Sequence, residues 1–216
     1  MKDPHSTAWG NLMAEEPSVI PLYGLILTGG HSTRMQQDKA LLHFNGRPHL
    51  AALYDLLAGP CDAVWVSSRT DQADTEVRDR LPQIHDSWGE IGPMGGLLSA
   101  FQAYPRAAWM VVACDMPFVD EDAISHLVRS RDTNQSATCY LSLDDSRPEP
   151  LCTIYEPVVF DKMAAGLRRG DSSLRRFLES NFVRGVVPSN RWTLRQVNNP
   201  DDFRQATEAL ALRGHA

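Results

Sequence analysis

Residues 22–39 decide how this chain folds, and they read LYGLILTGGHSTRMQQDK. The apolar run is short enough for a buried strand, and it ends abruptly at Gly29 and Gly30. Two adjacent glycines allow a sharp turn and leave backbone N–H groups bare, so these groups can approach an oxyanion. Arg34 and Lys39 follow in the same stretch and can add charge-assisted hydrogen bonds. The stretch therefore predicts a strand that leads into a phosphate-binding loop.

The alternative for this stretch is an ordinary strand-to-loop turn whose Arg and Lys face water. A glycine pair alone would favour that alternative, so the interpretation depends on the whole string. The string lacks the Lys-Ser/Thr ending of a Walker loop and the three-glycine spacing of a dinucleotide-binding loop. These two classes of phosphate-binding fold are therefore disfavoured.

The length and composition favour one globular domain. The chain has 216 residues, of which 43% are hydrophobic and 22% charged, which is enough for one well-packed core. A net charge of -6 and a pI near 5.6 argue against a polyanion-binding surface, so nucleic acid is not an expected partner. A phosphate site in this chain would be a local basic pocket on an acidic protein.

The four cysteines predict buried free thiols in a reducing compartment. Cys61, Cys114, Cys139 and Cys152 show no C-x-x-C spacing, and three of them lie in apolar runs. No apolar run approaches the roughly 20 residues that cross a bilayer, and the N-terminus lacks the pattern of a signal peptide. We therefore expect a cytoplasmic protein with no membrane partner.

The predicted domain covers residues 21–211. Residues 1–20 mix Pro, Ser, Glu and Asn without periodicity, so they are expected to be a disordered extension. Residues 212–216 are expected to be a short tail.

Strand-like and helix-like segments alternate through the first half of this domain. Further strands are expected at 63–67, near Ile84 and at 109–114, and helices at 71–80, from Pro93 and from Asp120. This βαβ rhythm predicts a single Rossmann-like α/β domain, with a mostly parallel sheet and helices on both faces. Ligands collect at the carboxyl ends of such strands. The glycine loop, Ser67, Asp86 and Asp115 should therefore converge.

The second half is expected to extend the sheet. Strands are predicted at 137–143 and 151–155, joined by a link at 147–150 whose prolines keep it out of a central strand. The remaining predicted elements are helices at 157–167 and 172–180, strands at 182–187 and 192–197, and a last helix opened by Asn199 and Pro200.

Residues 27–42 resemble the signature of the molybdenum cofactor guanylyltransferases and their nucleotidyltransferase relatives. That signature is commonly written LAGGxSxRMGxDKALL, and this chain reads LTGGHSTRMQQDKALL, with Thr28 in place of Ala and Gln36 in place of Gly. Later segments at Asp86, at residues 92–96, at Asp115, at residues 147–150 and at residues 198–200 also resemble segments of this family.

The resemblance implies that the chain transfers GMP from GTP to molybdopterin and releases pyrophosphate, with Mg²⁺ as cofactor. Asp115 would hold the metal, and Arg34, Lys39 and Asp115 would be the catalytic residues. The implied nucleotide-binding residues are Leu27, Thr28, Gly29, Gly30, Lys39, Ser67, Asp86, Gly92 and Asp115. On the acceptor side the resemblance implies Arg147 and Asn198. It also points to molybdoenzyme-maturation proteins as partners.

Several of these residues have a simpler structural interpretation. Asp115 could cap the turn that follows its strand, and the segment at Gly92 could be a plain helix entry. Asn198 and Asn199 could both cap the last helix, and we assign the cap to Asn199. Ser67 stands where the family often has Asn, so its nucleotide contact is a departure from the pattern.

Three rival functions stay open at this point. Two keep the fold and the chemistry: a molybdopterin cytidylyltransferase, and a nucleotidyltransferase for a sugar or alcohol phosphate. The L-T-G-G reading at residues 27–30 favours guanine over cytosine within the family. The third is a nucleotide-binding regulator without turnover, which the presence of Lys39 and Asp115 disfavours.

Overall fold

The computed structural model describes residues 19–28, 42–44, 46–69 and 76–213. The strands in this part are β1 Leu22–Leu27, β2 His43–Phe44, β3 Arg47–Pro48, β4 Ala63–Ser68, β5 Gln83–His85, β6 Ala108–Ala113, β7 Ala137–Leu141, β8 Pro148–Tyr155 and β9 Val183–Val186. The helices are α1 His49–Ala58, α2 Glu76–Asp79, α3 Pro93–Ala103, α4 Glu121–Arg129, α5 Val159–Arg168, α6 Leu174–Glu179 and α7 Pro200–Arg213.

Seven of these strands form one mostly parallel sheet in the order β5-β4-β1-β6-β8-β7-β9. Strand β1 pairs in parallel with both β4 and β6, so the strand before the glycine loop lies inside the sheet. Within the described sheet only β8 runs in the opposite direction, and it pairs with β6 and β7. The predicted Rossmann-like α/β fold with a mostly parallel sheet is confirmed.

Apolar residues cover both faces of the sheet. One core packs Leu50, Leu53, Ile124 and Leu127 of α1 and α4 against one face, which includes Ile26. A second core packs α3, α5 and α6 against the other face, which includes Leu25 and Leu27. Neighbouring residues of β1 therefore face opposite cores, as the period of two in a strand requires. The prediction of helices on both faces is confirmed.

A third, smaller core joins the β2-β3 hairpin to the C-terminal helix. Phe44 of β2, Phe118, Val197 and Ala206 of α7 are buried together with Leu42. Phe118 belongs to the loop that follows β6, so this core holds the hairpin and the entry of α7 beside the end of β6.

Several predicted local features are present. Asp120 caps α4 by accepting a hydrogen bond of 2.9 Å from the N–H of Ala123. Asn199 caps α7, since its Oδ1 accepts from the N–H of Asp202 at 2.9 Å. The four cysteines are buried free thiols. In the described ranges, no helix combines the length and the apolarity needed to cross a membrane.

The predicted link at residues 147–150 is wrong, because β8 already begins at Pro148. Pro148 is the first residue of the strand, and it pairs with Leu141 where the register of β7 shifts. The pairing of β8 with β6 starts only at Cys152. Pro148 and Pro150 therefore lie outside the part of β8 that pairs with β6. Their missing N–H groups remove no hydrogen bond between these two strands.

The predicted strand at 192–197 is also wrong. Asn190 Oδ1 accepts hydrogen bonds from the N–H groups of Trp192 and Thr193, at 2.9 and 3.1 Å, and this side-chain turn curls the backbone. The N–H of Val197 donates to the carbonyl of Asp115 at 2.8 Å. The segment is therefore a folded loop that docks on the end of β6.

The ends of the domain extend slightly past the predicted limits. The described part starts at Val19, so residues 1–18 lie outside it and the expected extension stays a prediction. Helix α7 continues through Arg213, which places the first two residues of the predicted tail in the helix.

Candidate functional site

The carboxyl ends of β1, β4, β5 and β6 meet at one edge of the sheet. These strands run parallel, so Thr28, Ser67, Asp86 and Asp115 all lie at or just after the same edge. This is the edge at which open α/β sheets bind ligands.

A cavity of about 280 Å³ opens at this edge. It brings together four of the residues that the sequence predicts to contact nucleotide, namely Leu27, Ser67, Asp86 and Gly92. The other lining residues are Ser68, Arg69, Gly89, Glu90, Pro93 and Gly96. We call this space the nucleotide cavity.

Glycines at the start of α3 allow the helix backbone to pack closely against this cavity. Gly92 precedes the helix with a φ of +75°, a conformation that side chains other than glycine rarely adopt. A Cβ at Gly95 would overlap the Asp86 carboxylate, and a Cβ at Gly96 would overlap Ser67 Oγ. The first turn of α3 therefore lies directly against Asp86 and Ser67 at the wall of the cavity.

Asp86 and Thr28 also stabilise the backbone around the cavity. Asp86 Oδ1 accepts the N–H of Trp88 at 2.9 Å, which fixes the turn after β5. The hydroxyl of Thr28 donates to the carbonyl of Ser67 at 2.7 Å. Thr28 is buried, so its hydroxyl ties the start of the glycine loop to β4.

Asp115 lies one residue after the buried Cys114 at the end of β6, and its side chain is partly exposed. Its carbonyl accepts the N–H of Val197, so Asn198 follows immediately beside it. The N–H of Asn198 donates to Asp202 Oδ2 at 3.0 Å, which orients this backbone at the start of α7. The structure therefore brings Asp115 and Asn198 together.

Glu149 is a residue that the sequence interpretation missed. Strand β8 is antiparallel to β6, with Trp109 opposite Tyr155 and Val112 opposite Cys152. Glu149 precedes Cys152 in β8, so it lies toward the end of β6 that Asp115 follows. Burial raises the pKa of the Glu149 carboxyl, and the negative charge of Asp115 acts in the same direction. The only sign of Glu149 in the sequence is a carboxyl group between two prolines. This pattern does not show that β8 pairs with β6.

Arg147 is placed differently from the other predicted residues. Its side chain is exposed, and its Nε donates to Glu179 Oε1 at 2.8 Å. It lines neither the nucleotide cavity nor the cavity beside Glu149 that is described below. Gly29, Gly30, Arg34 and Lys39 lie outside the described residues, so their roles stay predictions.

A buried histidine fixes the hairpin beside the site. His49 begins α1, its N–H donates to the carbonyl of Leu42 at 2.8 Å, and its ring packs edge-on against Phe44. The ring also makes a hydrogen bond to the backbone of Met116, the residue after Asp115. Burial lowers the pKa of His49 from 6.5 to about 4, so the ring is neutral at pH 7.

This histidine is expected to make the fold sensitive to acid. Because its pKa is lowered in the folded state, stability is complete above pH 6.5 and falls as the pH drops towards 4. The linked loss at pH 4 is about 3 kcal/mol. Urea unfolding of the wild type and of His49→Gln at pH 7 and pH 4 measures it, with the variant as control for all other groups. An equal loss in both proteins would contradict the assignment.

Comparison with known proteins assigns the chain to the nucleotidyltransferase class. The chain belongs to the MobA-like NTP transferase domain family, which matches residues 24–185. It is 35% identical over 188 residues to a molybdenum cofactor biosynthesis bifunctional protein of Synechocystis, and the match covers 87% of this chain but only 54% of that protein.

Two further relatives match over most of their own length. A probable molybdenum cofactor guanylyltransferase of Synechococcus elongatus is 31% identical over 186 residues, which cover 83% of this chain and 94% of the relative. The crystal structure of molybdopterin-guanine dinucleotide biosynthesis protein A from Archaeoglobus fulgidus has a TM-score of 0.73 at 20% identity, covering 88% of this chain and 99% of that one. The resemblance seen at residues 27–42 is confirmed, and the chain is an enzyme of the nucleotidyltransferase class.

Among the described residues, no group of three or more His, Cys, Asp or Glu side chains is arranged to hold a metal ion. Mg²⁺ does not need such a group, because one or two carboxylates together with substrate phosphates and water complete its shell. The carboxylate of Asp115, at the end of β6, matches this requirement.

Proposed function

We propose that the chain transfers GMP from GTP to molybdopterin, forming the guanine dinucleotide of the cofactor and releasing pyrophosphate. The observation that carries this proposal is the position of Asp115. It follows β6 at the same edge of the sheet as the nucleotide cavity, and its negative charge acts on the carboxyl of Glu149. Relatives named molybdenum cofactor guanylyltransferase support the choice of GMP and of molybdopterin.

The reaction is an in-line displacement at the α-phosphorus of GTP. An oxygen of the molybdopterin phosphate forms the new P–O bond, and the bond from the α-phosphorus to the bridging oxygen breaks. Pyrophosphate leaves with that electron pair. Little covalent help from the protein is needed, so alignment and charge stabilisation supply the rate.

Each group of residues has one task in this scheme. The amides of Gly29 and Gly30, with Arg34 and Lys39, hold the phosphates of GTP. Leu27, Ser67, Asp86 and Gly92 line the cavity for the nucleoside, and the first turn of α3 packs against it. Thr28 supports the nucleotide side by tying the end of β1 to β4.

Asp115 would hold Mg²⁺. When bound, Mg²⁺ offsets negative charge that develops on the phosphates. Asn198 contacts the acceptor next to Asp115, and Arg147 remains an acceptor-side residue on the basis of the resemblance. Contact with molybdoenzyme-maturation proteins also stays a prediction. We infer a cytoplasmic location, which the four buried thiols support.

Base selection distinguishes this proposal from a cytidylyltransferase. We expect GTP to exceed CTP by at least about 100-fold in kcat/KM, because a site that satisfies the polar edge of one base leaves an analogue's groups unpaired. Steady-state rates with each nucleotide and saturating molybdopterin measure this ratio. Comparable use of CTP would contradict the guanine assignment and leave the class unchanged.

A further inference from the structure

A second cavity, of about 510 Å³, lies on the other side of Glu149. It is bounded by the ends of β7 and β8, by α6 and by residues 188–195, and we call it the arginine cavity. Its charged lining residues are Asp144, Glu149, Arg175, Arg191 and Arg195. It shares no lining residue with the nucleotide cavity, so both can be filled at once.

Arg175 is paired with Glu149, whose carboxyl also feels the negative charge of Asp115. Its Nη2 donates to Glu149 Oε2 at 3.4 Å, while the other oxygen of Glu149 accepts the N–H of Leu151 at 2.9 Å. Glu149 is nearly buried, with 8% of its side chain exposed, whereas Arg175 is 36% exposed. A guanidinium has five donors, so this one bond leaves donors that can face the arginine cavity.

The other two arginines of the cavity are placed less suitably. Arg195 lies over the ring of Trp192, at 5.0 Å from the centroid, and donates to Gln205 Oε1 at 2.6 Å. Arg191 is exposed on the loop. Of these three arginines, Arg175 is therefore the one that pairs with a buried carboxylate, that of Glu149.

We propose that Arg175, held in place by Glu149, binds the phosphate group of the acceptor in the arginine cavity. The inference rests on the proposed function, since it assigns a residue to that acceptor. The planar guanidinium fits a phosphate monoester with two parallel hydrogen bonds, which a lysine cannot match. Bound there, the phosphate lies on the Glu149 side of Asp115, while GTP occupies the nucleotide cavity.

Calorimetric titration of molybdopterin into the enzyme, without nucleotide, tests the proposal. We expect Arg175→Ala to weaken binding by about tenfold or more, because a charge-assisted hydrogen bond to the phosphate is lost. Arg175→Lys should recover part of the affinity, because lysine keeps the charge but not the planar geometry. Arg176→Ala is the matched control. Arg176 follows in the same helix, pairs with Asp171 at 2.9 Å and does not line the arginine cavity. This variant should bind as the wild type does.

Turnover measured on the same proteins separates this inference from the proposed function. Unchanged molybdopterin binding by Arg175→Ala, or an equal loss in Arg176→Ala, would overturn the inference even if the wild type transfers GMP. Failure of the wild type to bind molybdopterin would overturn it as well. Binding that depends on Arg175, without any GMP transfer, would support the inference and refute the proposed function. Melting temperatures equal to that of the wild type ensure that a loss of binding is not unfolding.

Discussion

Asp115→Asn is expected to melt with the wild type and to lose GMP transfer by at least about 100-fold, the scale on which a preorganised charge contributes to catalysis. Asn has the shape of Asp and fits the same position after β6. Its neutral amide cannot offset the charge of Mg²⁺, so the metal and the phosphates it aligns are held less well. Initial rates of pyrophosphate release beside thermal melting measure the effect.

Asp120→Asn is the matched control for this variant. It removes the same charge from the same loop, but Asp120 caps α4 and Asn caps a helix equally well. This control should keep both rate and melting temperature. Wild-type rates in Asp115→Asn, or a loss of rate explained by early melting, would contradict the role of Asp115.

Gly96→Ala is expected to weaken GTP binding by about tenfold or more and to lower the melting temperature, since overpacking a tight contact costs ~1–3 kcal/mol. The new Cβ would overlap Ser67 Oγ and would lie 3.2 Å from Leu27 Cδ2 and 3.3 Å from Ser67 Cβ. These atoms belong to β1 and β4 at the nucleotide cavity, so the Ser67 hydroxyl must rotate or α3 must shift, and either change alters the wall of the cavity.

Gly166→Ala provides the comparison for the glycine variant. Gly166 lies within α5, where a new Cβ would be 3.7 Å from the Asp171 carbonyl, an ordinary contact. Alanine favours a helix over glycine, so this variant should bind GTP normally and melt no earlier than the wild type. Equal GTP affinities in the two glycine variants, measured by titration, would show that the start of α3 does not shape the cavity.

The sequence could predict that residues at the ends of separate strands come together at the nucleotide cavity, because the position of each one depends only on its own strand. Ser67 and Asp86 needed only the βαβ rhythm and the rule of carboxyl ends, whereas Leu27 and Gly92 were implied by the resemblance. Helix caps such as Asp120 and Asn199 could be predicted for the same reason, since they depend on a few neighbouring residues.

The acceptor side could not be predicted, because it depends on pairing between distant segments. Glu149 lies near Asp115 because β8 runs antiparallel beside β6. Pro148 and Pro150 suggested a link because proline is excluded from central strands. The strand β8 accepts both because its pairing with β6 starts only at Cys152, which a local pattern does not show. The segment at 192–197 was predicted as a strand, and hydrogen bonds to the side chain of Asn190 curl its start into a loop. A local pattern contains none of these long-range partners.

Pyrophosphate release from each of the four nucleoside triphosphates, with and without molybdopterin, tests the central claim most directly. We predict release from GTP that requires molybdopterin, and only slow release from ATP, CTP and UTP. GTP that binds but is never consumed in the presence of molybdopterin would contradict the claim, and it would indicate a nucleotide-binding protein without transferase turnover.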